Sequence, residues 1–453
     1  MREQDFAQVR FGYGFGPRVP AQNRAEMFAE LSRPDRAQQQ FPIMPMRQAL
    51  QLGREFRDAA RARRNGEIGA EARYDTAQTA LRSASGNGMR ASLARIVEGV
   101  DPLRERLTWF WADHFTAAPN SPLTRATVTT YVDEAIRPHI VGRFADMLKA
   151  VVRHPAMLTY LDQQVSIGPN SLAATRTGRG LNENFARELL ELHTMGVGAG
   201  YTQSDVREAA ELLTGLSIDF DDGFVFRPRA AEPGPETILG RSYGSDERAR
   251  LADIDAFLED LAQRPETAEH LAQKLAVHFV DDAPSTALAE DLAAVYRETS
   301  GHLGAVTETL MSHPDTATLP LRKVKPPMAF ITSALIALGL GGSEIAGLSR
   351  PELGRMIVRP LAGMGQMFMR PAGPDGWPED GAHWITPQGL ATRISWATAV
   401  ADRAADAAGD PRSFLDRTLG ALAGPRLQFA VSAAETRAEG IALVLASAEF
   451  NRR

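Results

Sequence analysis

The side chains best equipped for chemistry lie between Asn182 and Tyr201, in the run NENFARELLELHTMGVGAGY. Glu188 and Glu191 are spaced to share one face of a helix. A carboxylate pair is the minimum for acid–base work on a glycosidic bond, with one group kept protonated by burial and by its neighbour's charge. Arg187 beside them could anchor an anionic group or fix a carboxylate. Asn182, Asn184 and Tyr201 add hydrogen-bonding groups for a substrate. His193 is the remaining titratable group, but at about 100° per residue it points away from Glu191. A helical metal motif needs ligands at i,i+3 or i,i+4, as in Glu-x-x-His, and this stretch lacks one. The competing reading is plain. The charges would form surface pairs worth roughly 0.2–0.5 kcal/mol each, and His193 would be a core histidine with one hydrogen-bond partner.

Two other groups belong with this set. Asp113 adjoins His114 at the end of a Trp-rich helix, where a carboxylate could orient an imidazole for proton transfer. Adjacent helical residues diverge, so a packed or capping His114 is the alternative. The Gly/Pro-rich loop from Gly373 to Trp384 carries Trp377, His383 and Trp384. Aromatics held in such loops stack on sugars, pack over a cleft, or seal a core. A divalent metal would have to draw Glu188, Glu191, His114 and His154 from several helices, and no spacing indicates it.

The elements that position these residues follow from local signals. Asn182 suits an N-cap, the helix runs to about Met195, and Gly196 suits the left-handed residue after it. Glu183, Asn184, Arg187, Glu188 and Glu191 form its polar side, opposite Phe185, Ala186, Leu189, Leu190, Leu192 and His193. Thr202 with Asp205 is a capping-box variant opening a second helix, which buries Val206, Ala209, Ala210 and Leu213 and stops at Gly215. Asp205, Glu208 and Glu211 make that helix acidic, so it would repel phosphate and does not read as a DNA-binding helix.

The N-E-N-x-x-R-E-L-x-E-L-H-T-x-G-V and G-Y-T-x-x-D-V wording of Asn182–Val206 resembles the DUF1800 family, a large bacterial group. Arg10-Phe11-Gly12, Trp111 with His114-Phe115, His154 to Leu158, Lys323-Val324-Lys325-Pro326-Pro327, Gly376-Trp377-Pro378 and Ala448-Glu449-Phe450 extend the resemblance over most of the chain. It implies one helical domain over 1–453 and no settled reaction. Relatives are similarly encoded beside DUF1501 proteins, which look like alkaline-phosphatase-superfamily members. The resemblance therefore implies a DUF1501-type partner as an alternative to catalysis. Family members commonly carry a His-Asp pair before a Leu-Gly; here Arg229 to Pro233 precedes Leu239-Gly240 without it, which puts any activity resting on that pair in doubt.

The remaining pattern is mainly α, with one small antiparallel hairpin near 217–240. Sub-regions are expected at 1–98, 99–245 and 246–453. Two or three helices fill 45–98, interrupted by a loop at Ser83 to Gly88. Asp101-Pro102 opens the next helix. Two long helices broken at Arg137-Pro138-His139 fill Thr124 to Leu161, and a polar loop follows from Gly168 to Arg179. Strands flank Asp221-Asp222-Gly223, and Ile238-Leu239-Gly240 adds a third. Gly12 to Pro17 reads as a turn, since no strand precedes it. Met328–Leu340 and the methionine-rich Met356–Met369 read as helices. Further helices are expected over Pro387–Ala405, Ser413–Leu422 and Ala434–Ala446.

Composition narrows the function classes. The 453 residues are 44% hydrophobic and 23% charged, with net charge −6, and nothing in this balance points to nucleic acid or an anionic membrane surface. No cysteine is present, so disulfides, thiolate catalysis and Cys-bound metals are excluded. No apolar run of about 18 residues indicates membrane insertion. The opening residues show no signal peptide, so a cytoplasmic location is the default, with periplasmic co-export alongside a partner as the alternative. Arginine greatly outnumbers lysine. The functional expectation is an enzyme with a carboxylate/His cleft acting on a carbohydrate-like or other extracytoplasmic substrate. The alternative is a non-catalytic partner or chaperone of a DUF1501-type protein.

Overall fold

Proline and short capping side chains start most of the helices. Asp101 accepts from the Arg104 amide ahead of Pro102, Ser121 and Thr124 form a capping box ahead of Pro122, and Thr386 caps the helix opened by Pro387. In the computed structural model, which describes residues 3–177, 180–246, 248–317 and 321–453, the result is mainly α-helical. Two small antiparallel sheets of two strands each accompany the helices. Among the described residues, no helix is long and apolar enough to cross a membrane.

The helices gather around two apolar clusters. The first takes its residues from Ala7 to Met311 and includes the Pro102–His114, Phe144–Arg153, Asn184–Glu191, Leu251–Ala262 and Pro265–Phe279 helices. The second combines the end of the Ala70–Glu98 helix with Pro327–Ala337, Pro387–Ala408 and Arg437–Ala446. Trp109 packs against both clusters. The Pro102–His114 helix thus lies on the seam: Trp111 faces the first core, and Trp109 reaches Phe368 beside the second, with ring centroids 5.6 Å apart. Both cores cut across the sub-regions expected at 1–98, 99–245 and 246–453.

Several local expectations need correction. The Ser83 to Gly88 stretch is no loop; one helix runs from Ala70 to Glu98. A Cβ at Gly88 would sit 2.2 Å from Thr129 Oγ1, so the glycine is there for helix–helix approach. The helix expected from Asn182 to Met195 spans only Asn184–Glu191. Asn182 Oδ1 still accepts from the Asn184 amide at 3.0 Å. The helix stops because Thr194 Oγ1 donates to Leu189 O at 2.6 Å and the backbone widens, with the His193 amide donating to Glu188 O at 3.0 Å. Gly196 then takes φ +94. The Met356–Met369 helix ends early, after a wide turn over Gly354–Val358 and a short Arg359–Gly363 helix, leaving Met367 and Met369 in a loop.

The hairpin is present as Leu216–Asp219 paired with Gly223–Phe226, in register Ile218 with Phe224. The third strand belongs to a separate hairpin, Glu236–Ile238 with Arg241–Tyr243. In the Gly168 to Arg179 loop, a helical turn forms over Ala174–Thr177, and positions 178–179 lie outside the described residues. Asn170 donates its backbone amide to Glu232 at 2.9 Å, and Ala173 donates to Arg229 O at 3.0 Å. The Arg229 to Pro233 segment, where the resemblance notes a missing His-Asp pair, therefore anchors this loop.

Gly88→Ala sets two effects against each other. Helix propensity would favour alanine by about 1 kcal/mol, whereas the clash with Thr129 costs about 1–3 kcal/mol. The clash dominates at 2.2 Å, so chemical denaturation will show a net loss of stability; a gain would mean that the crossing relaxes.

Candidate functional site

The Asn182–Gly196 stretch is held from behind by histidines. His114 Nε2–H donates to the His193 carbonyl at 3.1 Å, and His270 Nε2–H donates to the Leu192 carbonyl at 3.2 Å. These bonds satisfy carbonyls that the short Asn184–Glu191 helix leaves open at its end. His193 is fully buried and neither ring nitrogen has a partner among the described residues. Burial, then Lys274 and His270, bring its pKa down to about 3; burial and Lys274 bring His270 to about 4. His114 is lowered by the same kind of surroundings. Burial and the nearby Lys274 favour the uncharged form of all three imidazoles, and His114 and His270 hold the end of the helix through their hydrogen bonds.

On the outer face, Arg187 lies 3.3 Å from Glu183 and 3.6 Å from Glu191, and bonds Gln203 Oε1 at 2.9 Å. Burial and a hydrogen bond to Glu191 raise the Tyr201 phenol. Burial, Glu191 and Asp375 raise the Glu188 carboxyl. Asn184 is exposed and Asn182 half-buried. This is a polar rim, and none of Asn182, Asn184, Arg187, Glu188, Glu191 or Tyr201 lines the cavity walled by Trp109, Trp377 and Trp384.

That cavity, of about 90 Å³, opens at the seam between the two cores. Its apolar wall is Trp109, Met367, Phe368, Met369, Trp377 and Trp384. Trp384 is buried, with its indole N–H on Pro378 O at 2.9 Å, while His383 is exposed and outside the cavity. Asp113 stands at the wall and accepts from the Trp377 amide at 3.0 and 3.1 Å. The close approach needs Gly376, at φ +84, where a Cβ would sit 2.7 Å from the Asp113 carbonyl oxygen. Burial raises Asp113 to about 7, Glu379 and Asp375 add to this, and Lys274 and the Trp377 amide oppose it.

The cavity's inner end is ionic. Lys323 Nζ donates to Asp282 Oδ1 and to Glu379 O, both at 2.6 Å, and lies 3.1 Å from Glu379 Oε2. His278 Nδ1 pairs with Glu379 Oε1. Burial alone would raise Glu379, but His278 and Lys323 hold it at about 2. Burial, then Arg106 and Arg393, lower Lys325 to about 7. Arg106 and Arg453 complete this end, 4% and 1% exposed.

The structure thus brings Asp113, Trp377 and Trp384 together, leaves the Glu188 face on a rim linked to them through Asp375, and places His383 outside. The Glu188, Glu191, His114 and His154 metal set does not gather. His154 Nδ1 accepts from the Ala156 amide at 3.2 Å and its Nε2 lies 3.9 Å from Glu134, whereas His114 packs on His193. Among the described residues, the three-carboxylate group that could hold a metal is Glu208, Glu211 and Glu236. Arg106, Lys274, His278, Lys323, Lys325, Glu379 and Arg453 were not anticipated as site residues. The chain has four lysines, Lys149, Lys274, Lys323 and Lys325, and three of them lie in or beside this site.

Glu379 has a folded-state pKa below its unfolded value, so its stabilisation is present above about pH 4.5 and is lost as pH falls toward 2. Glu379→Gln will cost about 3 kcal/mol at neutral pH, and urea titrations will show the gap closing in acid. A pH-independent loss would contradict this. Gly376→Ala, strained in φ and blocked by Asp113, will destabilise by about 1–3 kcal/mol and shift tryptophan fluorescence.

No curated protein and no solved structure matches the chain. The family model described as a protein of unknown function, DUF1800, matches residues 7–452. With that match spanning nearly the whole sequence, the chain belongs to the DUF1800 family.

Proposed function

We propose that the protein is an enzyme whose reaction takes place in the seam cavity. Asp113 is the acid–base group, and the Trp109, Phe368 and Trp377 wall receives the apolar or sugar-like face of a small substrate. The observation that carries this reading is the Asp113 carboxyl, raised to about 7 and fixed in orientation by the Trp377 amide. A general acid or base works best when its pKa lies near the operating pH. Hydrolysis of a carbohydrate-like or other extracytoplasmic substrate falls within this chemistry. The Glu188–Glu191 face then serves as the outer rim, electrostatically linked to the site through Asp375.

A non-catalytic role beside a DUF1501-type protein is a second reading. It is favoured by Leu390 and Ile394, 39% and 46% exposed one turn apart on the Pro387–Ala408 helix, close in sequence to Trp384 in the cavity wall. A partner covering that strip would co-purify, and Ile394→Asp would release it.

Turnover on a panel of glycosides, esters and amides tests the catalytic reading. Asp113→Asn keeps an acceptor for the Trp377 amide and will lower the rate at least about a hundredfold. The wild-type rate will turn over near pH 7, rising through it if Asp113 is the base and falling if it is the acid. Glu188→Gln and Glu191→Gln will stay within a few-fold. Full activity in Asp113→Asn would sink the assignment.

A further inference from the structure

Arg106 is 4% exposed, yet it makes no hydrogen bond or ion pair among the described residues. Its guanidinium lies 5.7 Å from the Tyr13 ring and 5.2 Å from the Phe279 ring, which supply dispersion and a π-face but no counter-charge. The two buried nitrogens without a partner are Nε and Nη2. Together they form the side-on edge of the guanidinium, the fork that takes a carboxylate or phosphate through two parallel N–H bonds. Arg453, also at the cavity, donates from Nη2 to His278 O at 3.3 Å and leaves Nε and Nη1 without partners.

The nearby anions do not answer this excess. Glu379 acts on Arg106 only at a distance, its oxygens being bound by His278 and Lys323, and Asp282 is bound by Lys323. Behind Arg106, Lys325 has no ion pair among the described residues and lies 4.3 Å from the Phe450 ring. A buried guanidinium without a counter-ion costs several kcal/mol. A cavity that holds two such groups is built for a negative charge supplied from outside.

We infer that the inner end of the cavity is an oxyanion subsite, in which the Arg106 fork, seconded by Arg453, binds the carboxylate or phosphate of a small amphipathic ligand. The aromatic and methionine wall takes the apolar body of that ligand. This deepens the catalytic reading above and rests on it for the identity of the ligand as substrate. The binding itself does not require Asp113 to act.

Isothermal titration calorimetry on the full chain tests the subsite, with benzoate, phenyl phosphate and the uncharged isostere benzamide as probes. Benzoate or phenyl phosphate will bind at least about tenfold more tightly than benzamide. Whichever of the two binds more tightly identifies the headgroup. Arg106→Met will remove that advantage and leave benzamide unchanged. Arg106→Lys keeps the charge but loses the fork, and will recover only part of it. Because Arg106→Met could fail to fold, thermal shifts of the wild type provide a second measure: the binding anion will raise the Tm and benzamide will not. Equal affinity for benzoate, phenyl phosphate and benzamide, anion binding unaltered in folded Arg106→Met, or no binding of either anion to the wild type would overturn the subsite. Asp113→Asn separates the two readings. Anion binding retained with turnover lost supports both, and anion binding retained with turnover also retained leaves the subsite standing while removing Asp113 as the catalytic group.

Discussion

Positive charge held out of water at the junction of two hydrophobic cores is the constraint on which the rest of the structure turns. Lys323 is 1% exposed and is balanced by Asp282 and Glu379. Arg393 is fully buried and donates to Asn451 Oδ1 at 2.9 Å and to Lys325 O at 2.8 Å. The Lys325 amide in turn bonds Asn451 O at 2.8 Å, and the Arg453 amide bonds Lys323 O at 2.9 Å. The last residues are thereby bound to the Lys323–Lys325 segment at the wall of the cavity. Desolvating this many cations is unfavourable unless each finds a partner. Protein groups satisfy some of them and leave Arg106 unsatisfied.

The most chemically crowded stretch of the sequence lies beside that junction. The Asn184–Glu191 helix has its last carbonyls held by His114 and His270, and its outer charges pair with one another or with Gln203. Its link to the cavity is electrostatic, through Asp375, which bears on both Glu188 and Asp113. The dense polar motif thus borders the cavity without lining it.

What was legible in the sequence was local. Asp101-Pro102, Thr202 with Asp205 and the Asp221-Asp222-Gly223 hairpin depend on neighbours within a few positions, and all three formed. Gly88 was misread because its reason is Thr129 on another helix, a contact that carries no local signature. His114 left both its readings open because its partner is a backbone carbonyl 79 positions away. The cavity was the hardest part to see, since Arg106, His278, Lys323, Glu379 and Arg453 come from distant segments. Asp113, Trp377 and Trp384, which the structure places at the cavity wall, each carried a local oddity, an Asp-His neighbour or an aromatic in a Gly/Pro loop.

The central claim is that the seam cavity takes an organic anion, with its charge on Arg106 and its body on the aromatic wall. Crystals soaked in 4-bromobenzoate and measured at the bromine absorption edge test it directly. The account predicts an anomalous peak among Trp109, Met367 and Phe368, with the carboxylate on the Arg106 fork. A cavity without bromine, or an Arg106 already paired with a protein carboxylate, would contradict it.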